Sequence, residues 1–318
     1  MMRAGQSCSM TSAAADSLRG IFVPLITPFD ADGRVATGPL EALAHEVLDA
    51  GAAGIVALGT TAESATLDRD EKHTVLDVCA AVCGARGAAL IVGAGSSDTA
   101  ASATVLAALA HWPQITGALV PVPSCTRPDK ASVLAHFTYL AERSPVPLVI
   151  YHIPYRTAQP LGAAVLREIG ALPNVAGVKL AVGAVDAVAV DLLGDPPPGF
   201  AIMAGDDVFL SPLLALGAAG GILASAHLAT GQFAALAAAW RGGDLGTARR
   251  LGPALARLSA AAFAEPNPSV IKAALHAQGR IPTPGVRLPL LPAAPASAEA
   301  LLARVAGLPE PQLAAQPG

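Results

Sequence analysis

The sequence predicts an α/β fold, a (β/α)8 TIM barrel with a C-terminal helical appendage. Three features predict it. Short β-branched or apolar runs recur eight times from Gly20 onward, spaced roughly 25–35 residues apart. Each run is followed by a longer Ala/Leu-rich segment of helical character. The runs are also continuously apolar, as parallel strands covered on both faces require.

Taken in order, the strand candidates begin with Ile21–Leu25, which leads to the amphipathic segment Pro39–Ala50. Gly54–Leu58 precedes Arg69–Cys83, Ala89–Gly93 precedes Thr99–Leu109, and Gly117–Val120 precedes Asp129–Glu142. Leu148–His152 is followed by Leu161–Ile169, and Ala176–Leu180, Phe200–Ala204 and Gly220–Leu223 complete the set. The rival architecture, a doubly wound open sheet, lacks its Gly-x-Gly-x-x-Gly turn after the first strand. The strand signal stops after about Gly231, and Ala/Leu helices continue to roughly Gln278. A Pro-rich stretch, Ile281–Pro295, and one more short helix follow. The expected organisation is therefore a disordered leader over 1–17, a barrel over 18–230, and a helical region over 231–318 packed on it.

Composition narrows the function classes. The net charge is −4 with no basic block, so a nucleic-acid partner is not expected. No apolar run reaches the roughly 18–20 residues of a membrane span. The four cysteines, Cys8, Cys79, Cys83 and Cys125, form neither a disulfide framework nor a zinc set, because no histidine or second cysteine pair completes one. A reducing, cytoplasmic setting is expected, with no metal. Charged residues are only 14% of the chain, which suggests that some surface is covered by self-association.

Reactive groups of a barrel sit at the C-terminal ends of its strands, and four strand ends here carry polar residues. After the second strand, Gly59-Thr60-Thr61-Ala62-Glu63-Ser64 offers backbone N–H groups and two hydroxyls, a setting suited to a carboxylate or to an ordinary capping turn. The fifth strand ends in Tyr151-His152-Ile153-Pro154-Tyr155-Arg156-Thr157. A tyrosine there can move protons, and an arginine can hold a carboxylate through two parallel hydrogen bonds. The alternative for Tyr151 is a core aromatic with a satisfied hydroxyl, but two of the chain's three tyrosines in one heptapeptide lean toward function. At the end of the sixth strand stands Lys179, inside the apolar run Val175-Ala176-Gly177-Val178-Lys179-Leu180. Desolvation favours its neutral amine, the form that attacks a carbonyl carbon; a side chain snorkelling to solvent is the alternative. Lys72, Lys130 and Lys272 lie in helical stretches and read as surface. Asp206 and Asp207, after the seventh strand, read as helix caps, since no third metal ligand has suitable spacing.

Jointly these segments resemble the dihydrodipicolinate synthase/N-acetylneuraminate lyase family. The resemblance runs from about Gly20 to Arg287-Leu288-Pro289-Leu290. It rests on Gly59-Thr60-Thr61-x-Glu63-Ser64-Ala65-Thr66-Leu67, Tyr151-x-x-Pro154-x-Arg156-Thr157, Gly177-Val178-Lys179, Gly205-Asp206-Asp207, and Pro266-Asn267-Pro268 followed by Lys272. It implies that Lys179 forms an imine with pyruvate or another 2-oxo acid while Tyr151 shuttles protons. Thr60 would bond the tyrosine hydroxyl, Thr61 would bind the oxo-acid carboxylate, and Ile222 would offer its backbone carbonyl to the substrate. Arg156 matches the arginine that synthases use for the second substrate's carboxylate. The implied activity is that of a lyase of the class I aldolase type needing no cofactor. The implied partners are a 2-oxo acid and an aldehyde, and the implied assembly is a homotetramer of two tight dimers.

The chain departs from that pattern in three places. Where the family's synthases carry Pro-Tyr-Tyr-x-x-Pro after the fourth strand, this chain has Pro123-Ser124-Cys125-Thr126-Arg127-Pro128. The family's cross-interface tyrosine is thus missing; Cys125 reads as an interface cysteine, or Tyr155 supplies a hydroxyl from another direction. The family's lysine-feedback pocket is matched by Arg69, Lys72, Ser97, Ala101 and Ser124, whose added cations would repel a lysine ammonium. Ala62 replaces the usual glycine after the two threonines, at a cost of about 1 kcal/mol if that position needs positive φ. Three functions stay open on these residues: a synthase-like condensation, an aldolase or dehydratase of 2-oxo-3-deoxy sugar acids, and a non-catalytic sensor of 2-oxo acids.

Overall fold

The structure, a computed structural model, describes residues 18–310. The expected leader over 1–17, with Cys8, lies outside the described residues. Eight parallel strands close into a barrel in sequence order. They are β1 (Gly20–Pro24), β2 (Gly54–Ala57), β3 (Ala89–Gly93), β4 (Ile115–Pro121), β5 (Leu148–His152), β6 (Val175–Leu180), β7 (Ala201–Ala204) and β8 (Gly220–Ile222). The helices between them are α1 (Thr37–Asp49), α2 (Arg69–Arg86), α3 (Thr99–Ala108), α4 (Lys130–Ala141), the single turn α5 (Pro154–Thr157), α6 (Ala163–Gly170), α7 (Ala187–Gly194) and α8 (Leu210–Ala215). Beyond β8 come α9 (Thr230–Gly242), α10 (Leu245–Ala262), α11 (Ser269–Ala277) and α12 (Pro295–Ala306). The expected (β/α)8 barrel with C-terminal helices is the observed fold.

Local chemistry places these elements. Aspartate accepts backbone N–H bonds at the starts of α2, α3, α4, α7 and α10, through Asp68, Asp98, Asp129, Asp186 and Asp244. Each such cap stabilises its helix by about 1 kcal/mol. At α2, Glu71 completes a reciprocal capping box with Asp68. The strand β4 starts two residues earlier than the sequence predicts, because Thr116 is an extra residue. Leu90 pairs with Ile115 and Ile91 with Gly117, so Thr116 bulges out and returns its hydroxyl to the Leu90 carbonyl at 3.1 Å. The β5–β6 ladder skips Ala176 in the same manner. That bulge sets which residue faces Tyr151.

The described chain forms two compact units. One is built on Ala89–Ile222, and the other on Gly20–Ala88 together with the chain from Leu223. In the first, β3 to β6 carry the apolar residues Leu90, Ile91, Ala118, Val149, Ile150 and Val178, all buried. In the second, Leu223 donates to the Phe22 carbonyl at 3.0 Å, and Phe22, Ile55, Phe233, Leu251 and Ile271 are buried. No helix among the described residues is long and apolar enough to cross a membrane.

His227, in the turn after β8, closes off this second core. Its Nε2 accepts the Ile26 N–H at 3.2 Å, which leaves Nδ1 to donate to the Ala224 carbonyl at 2.7 Å. Both nitrogens are used only in the neutral ring, and burial lowers its pKa from 6.5 to about 4. A histidine whose folded pKa is depressed contributes stability that is complete above about pH 6.5 and is lost as pH falls toward 4. The loss expected from His227 is about 2 kcal/mol by pH 5. Urea unfolding at pH 7 and pH 5 measures it, and His227→Gln should shrink the difference. An unchanged difference in that variant would assign the acid loss to other groups.

Candidate active site

In the unit built on Ala89–Ile222, the ladder register sets Tyr151 of β5 directly beside Lys179 of β6. Each is the penultimate residue of its strand, so both side chains leave the sheet at its C-terminal edge. Lys179 is 8% exposed, and its Nζ lies 4.4 Å from the centre of the Tyr151 ring. Among the described residues it makes no ion pair.

Two glycines let the backbone pack closely around this lysine. A Cβ at Gly177 would lie 2.4 Å from the Ala201 carbonyl oxygen, so β6 can approach β7 only without a side chain there. A Cβ at Gly205 would lie 2.8 Å from Lys179 Cγ and 2.7 Å from the Leu180 carbonyl oxygen. Gly205 thus vacates the space through which the lysine stem passes.

Asp206 differs from the sequence expectation. It makes no side-chain cap bond; its Oδ2 instead accepts the Gly183 N–H at 2.6 Å, beyond the end of β6. Half-buried, its carboxyl is raised above the usual carboxylate range by burial, while the Gly183 bond and the charge of Lys179 pull it back. Among the described residues no group of three or more His, Cys, Asp or Glu could hold a metal ion.

The turn α5 carries Tyr155 and Arg156 outward. Arg156 is exposed, has no carboxylate partner among the described residues, and sets its Cζ 5.4 Å from the Tyr155 ring. Tyr155 is 64% exposed, yet partial burial and the nearby Tyr151 and Asp206 keep its phenol above its ordinary pKa, against the pull of Arg156. Cys125 is exposed in the single chain, with φ +66°. It sits in a loop tied by Ser97 and Ser124, whose hydroxyls are 3.0 Å apart. Ile222 is the buried last residue of β8.

The unit built on Gly20–Ala88 and the later chain holds the threonines. Thr60–Ala62 is a tight helical turn directly beyond β2, with Thr60 exposed and Thr61 5% exposed. The left-handed residue is Glu63, at φ +53°, and not Ala62. The alanine therefore carries no strain at the glycine position. Thr27 clamps the turn by donating to the Ala62 carbonyl at 2.7 Å. Asn267 donates through Nδ2 to Thr61 Oγ1 at 2.9 Å.

Sequence reasoning places Lys272 on the surface, and the structure overturns this. Lys272 is fully buried, its Nζ 2.7 Å from Glu63 Oε1 and 4.0 Å from the centre of the Phe29 ring. Burial lowers its ammonium below the ordinary lysine value, against the attraction of Glu63. Glu63 Oε2 accepts the Arg287 N–H at 2.8 Å, and the Arg287 guanidinium grips Glu71, holding that carboxyl below its usual range. One signal was available: Lys272 is the lone charge in Ser269-Val270-Ile271-Lys272-Ala273-Ala274-Leu275. Its partner, 209 residues away, was not.

With this geometry in place, known proteins supply a context. Residues 17–306 match the dihydrodipicolinate synthetase family. A protein of Mycobacterium leprae (strain Br4923) named 4-hydroxy-tetrahydrodipicolinate synthase is 38% identical over 273 residues, covering 86% of this chain and 89% of its own. One of the same name from Synechococcus elongatus is 37% identical over 284 residues, covering 88% and 91%. Among solved structures, the chloride-inhibited dihydrodipicolinate synthase from Acinetobacter baumannii complexed with pyruvate superposes with a TM-score of 0.86 at 31% identity, over 91% of this chain and 98% of that one.

Proposed function

The chain belongs to the dihydrodipicolinate synthetase family, and from that premise we propose that it condenses pyruvate with an aldehyde bearing a carboxylate, as 4-hydroxy-tetrahydrodipicolinate synthases do. The observation that carries this reading is Lys179, buried beside Tyr151 on adjacent strand ends and without an ion pair among the described residues. The lysine amine adds to the ketone carbon of pyruvate, and loss of water leaves the imine. Protonated, the imine draws electrons from the neighbouring carbon, which loses a proton to give an enamine. The enamine carbon then bonds to the aldehyde carbon, whose oxygen takes up a proton, and hydrolysis or ring closure frees Lys179. Tyr151 handles the protons at the imine and at the new bond, with Thr60 as its partner. Thr61 binds the pyruvate carboxylate, the Ile222 carbonyl orients the substrate, and Arg156 receives the carboxylate of the aldehyde. No metal or organic cofactor enters this scheme.

A second reading has one observation in its favour. The loop after β4 offers Ser124 and Cys125 where tyrosines stand in the family's synthases, and a hydroxyl-rich loop suits a 2-oxo-3-deoxy sugar acid cleaved by the same imine. Borohydride trapping separates the two. A reduced pyruvate adduct on Lys179, located by peptide mass spectrometry, supports the condensation; an adduct with the sugar acid alone moves the assignment to the aldolase or dehydratase. A homotetramer belongs to the same proposal, and a stable monomer in sedimentation at micromolar concentration would remove it. The lysine-pocket positions lead to a further expectation. Added lysine should leave turnover unchanged, because Arg69 and Lys72 match positions of the family's lysine pocket and would repel the ammonium, and inhibition at micromolar lysine would refute that alignment.

A further inference from the structure

We propose that Asn267 is a positioning residue that fixes the direction in which Thr61 donates its hydroxyl proton, and so sets the affinity for the 2-oxo acid's carboxylate. The inference rests on the reading that Thr61 binds that carboxylate. A threonine hydroxyl has one proton to give and two lone pairs to receive. Asn267 Nδ2 can only donate, and at 2.9 Å it occupies a lone pair of Thr61 Oγ1. Thr61 is 5% exposed, yet among the described residues nothing accepts its own proton. A buried hydroxyl with an unclaimed proton is matched to an acceptor brought by a ligand, and a carboxylate is the strongest such acceptor.

The surrounding bonds hold the Asn267 backbone beside Thr61. Asn267 stands between Pro266 and Pro268, whose rings fix φ on both sides. The Ser269 N–H donates to the Pro266 carbonyl at 3.0 Å, and the Lys272 N–H to the Pro268 carbonyl at 2.9 Å. Five residues after Asn267, Lys272 pairs with Glu63, which lies two residues after Thr61. The buried ion pair therefore locks together the two segments that carry the Asn267–Thr61 bond.

Asn267→Asp inverts the polarity at nearly constant shape. Its carboxylate accepts the Thr61 proton and withdraws it from the ligand. The concentration of pyruvate that half-saturates borohydride trapping should rise about 10- to 100-fold, as for a lost hydrogen bond to a charged group. The kcat at saturating pyruvate should change far less. The same substitution in a Thr61→Val background should add little, because the hydroxyl through which it acts is gone. An unchanged half-saturation in Asn267→Asp overturns the inference. So does an equal rise in both backgrounds, which would mean plain charge repulsion. If Thr61→Val alone leaves half-saturation unchanged, the carboxylate reading of Thr61 fails first and this inference fails with it. Should Asn267→Asp not fold, the neutral Asn267→Ala frees the hydroxyl to rotate, and a half-saturation equal to the unaltered protein's would overturn the inference.

Discussion

Replacing Lys179 with arginine should abolish turnover while leaving the fold intact. The guanidinium keeps the positive charge and most of the stem, but it stays protonated and cannot form an imine. Removing a covalent nucleophile costs on the order of four to six decades in kcat, because the remaining groups only bind and orient. The expected picture is no detectable condensation, no borohydride adduct, and a circular dichroism spectrum like that of the unaltered protein. Gly205 leaves room for the stem that lysine and arginine share, since only a Cβ there would meet Lys179 Cγ. Retention of even a hundredth of the activity would place the nucleophile elsewhere. Loss of turnover with pyruvate affinity kept, and no adduct in the unaltered protein either, would favour the non-catalytic sensor.

The second large effect is on stability. Lys272→Met should destabilise the protein by about 3–5 kcal/mol, because it strands the Glu63 carboxylate in a dry interior with the Arg287 backbone N–H as its side chain's one remaining partner among the described residues. Glu63→Gln should cost a similar amount by stranding the ammonium over the Phe29 ring. Both members of the pair are essentially without exposed side-chain area, at 0% and 1%, so no water screens the loss. In thermal unfolding this is a fall on the order of 10 °C. Replacing both partners with apolar side chains should recover most of it, since desolvating two charges offsets much of their attraction. A single-variant loss below about 1 kcal/mol would mean that water reaches the pair. The doubly apolar protein then asks a functional question: if the pair serves to lock Thr61 against Asn267, stability returns but pyruvate affinity does not.

What could be read from the residues alone was what repeats or stands out locally. Eight apolar runs with intervening helices dictated the barrel, because burial on both faces leaves a one-dimensional record in each strand. Lys179 was legible for the converse reason, a charge where the pattern allows none, and Tyr151 and Arg156 were legible as polar residues clustered at one strand end. Tertiary structure decided what depends on distance. The bulge at Ala176 settles that Tyr151 faces Lys179, since a one-residue slip would turn every side chain of the strand to its other face. Tertiary structure also turned Asp206 from a helix cap to the Gly183 N–H, and it put Glu63, not Ala62, in the left-handed region. It also buried Lys272, which its own helix marks only as a charge among apolar neighbours. No local pattern encodes a partner 209 residues away, because an ion pair forms where folding brings two charges out of water together.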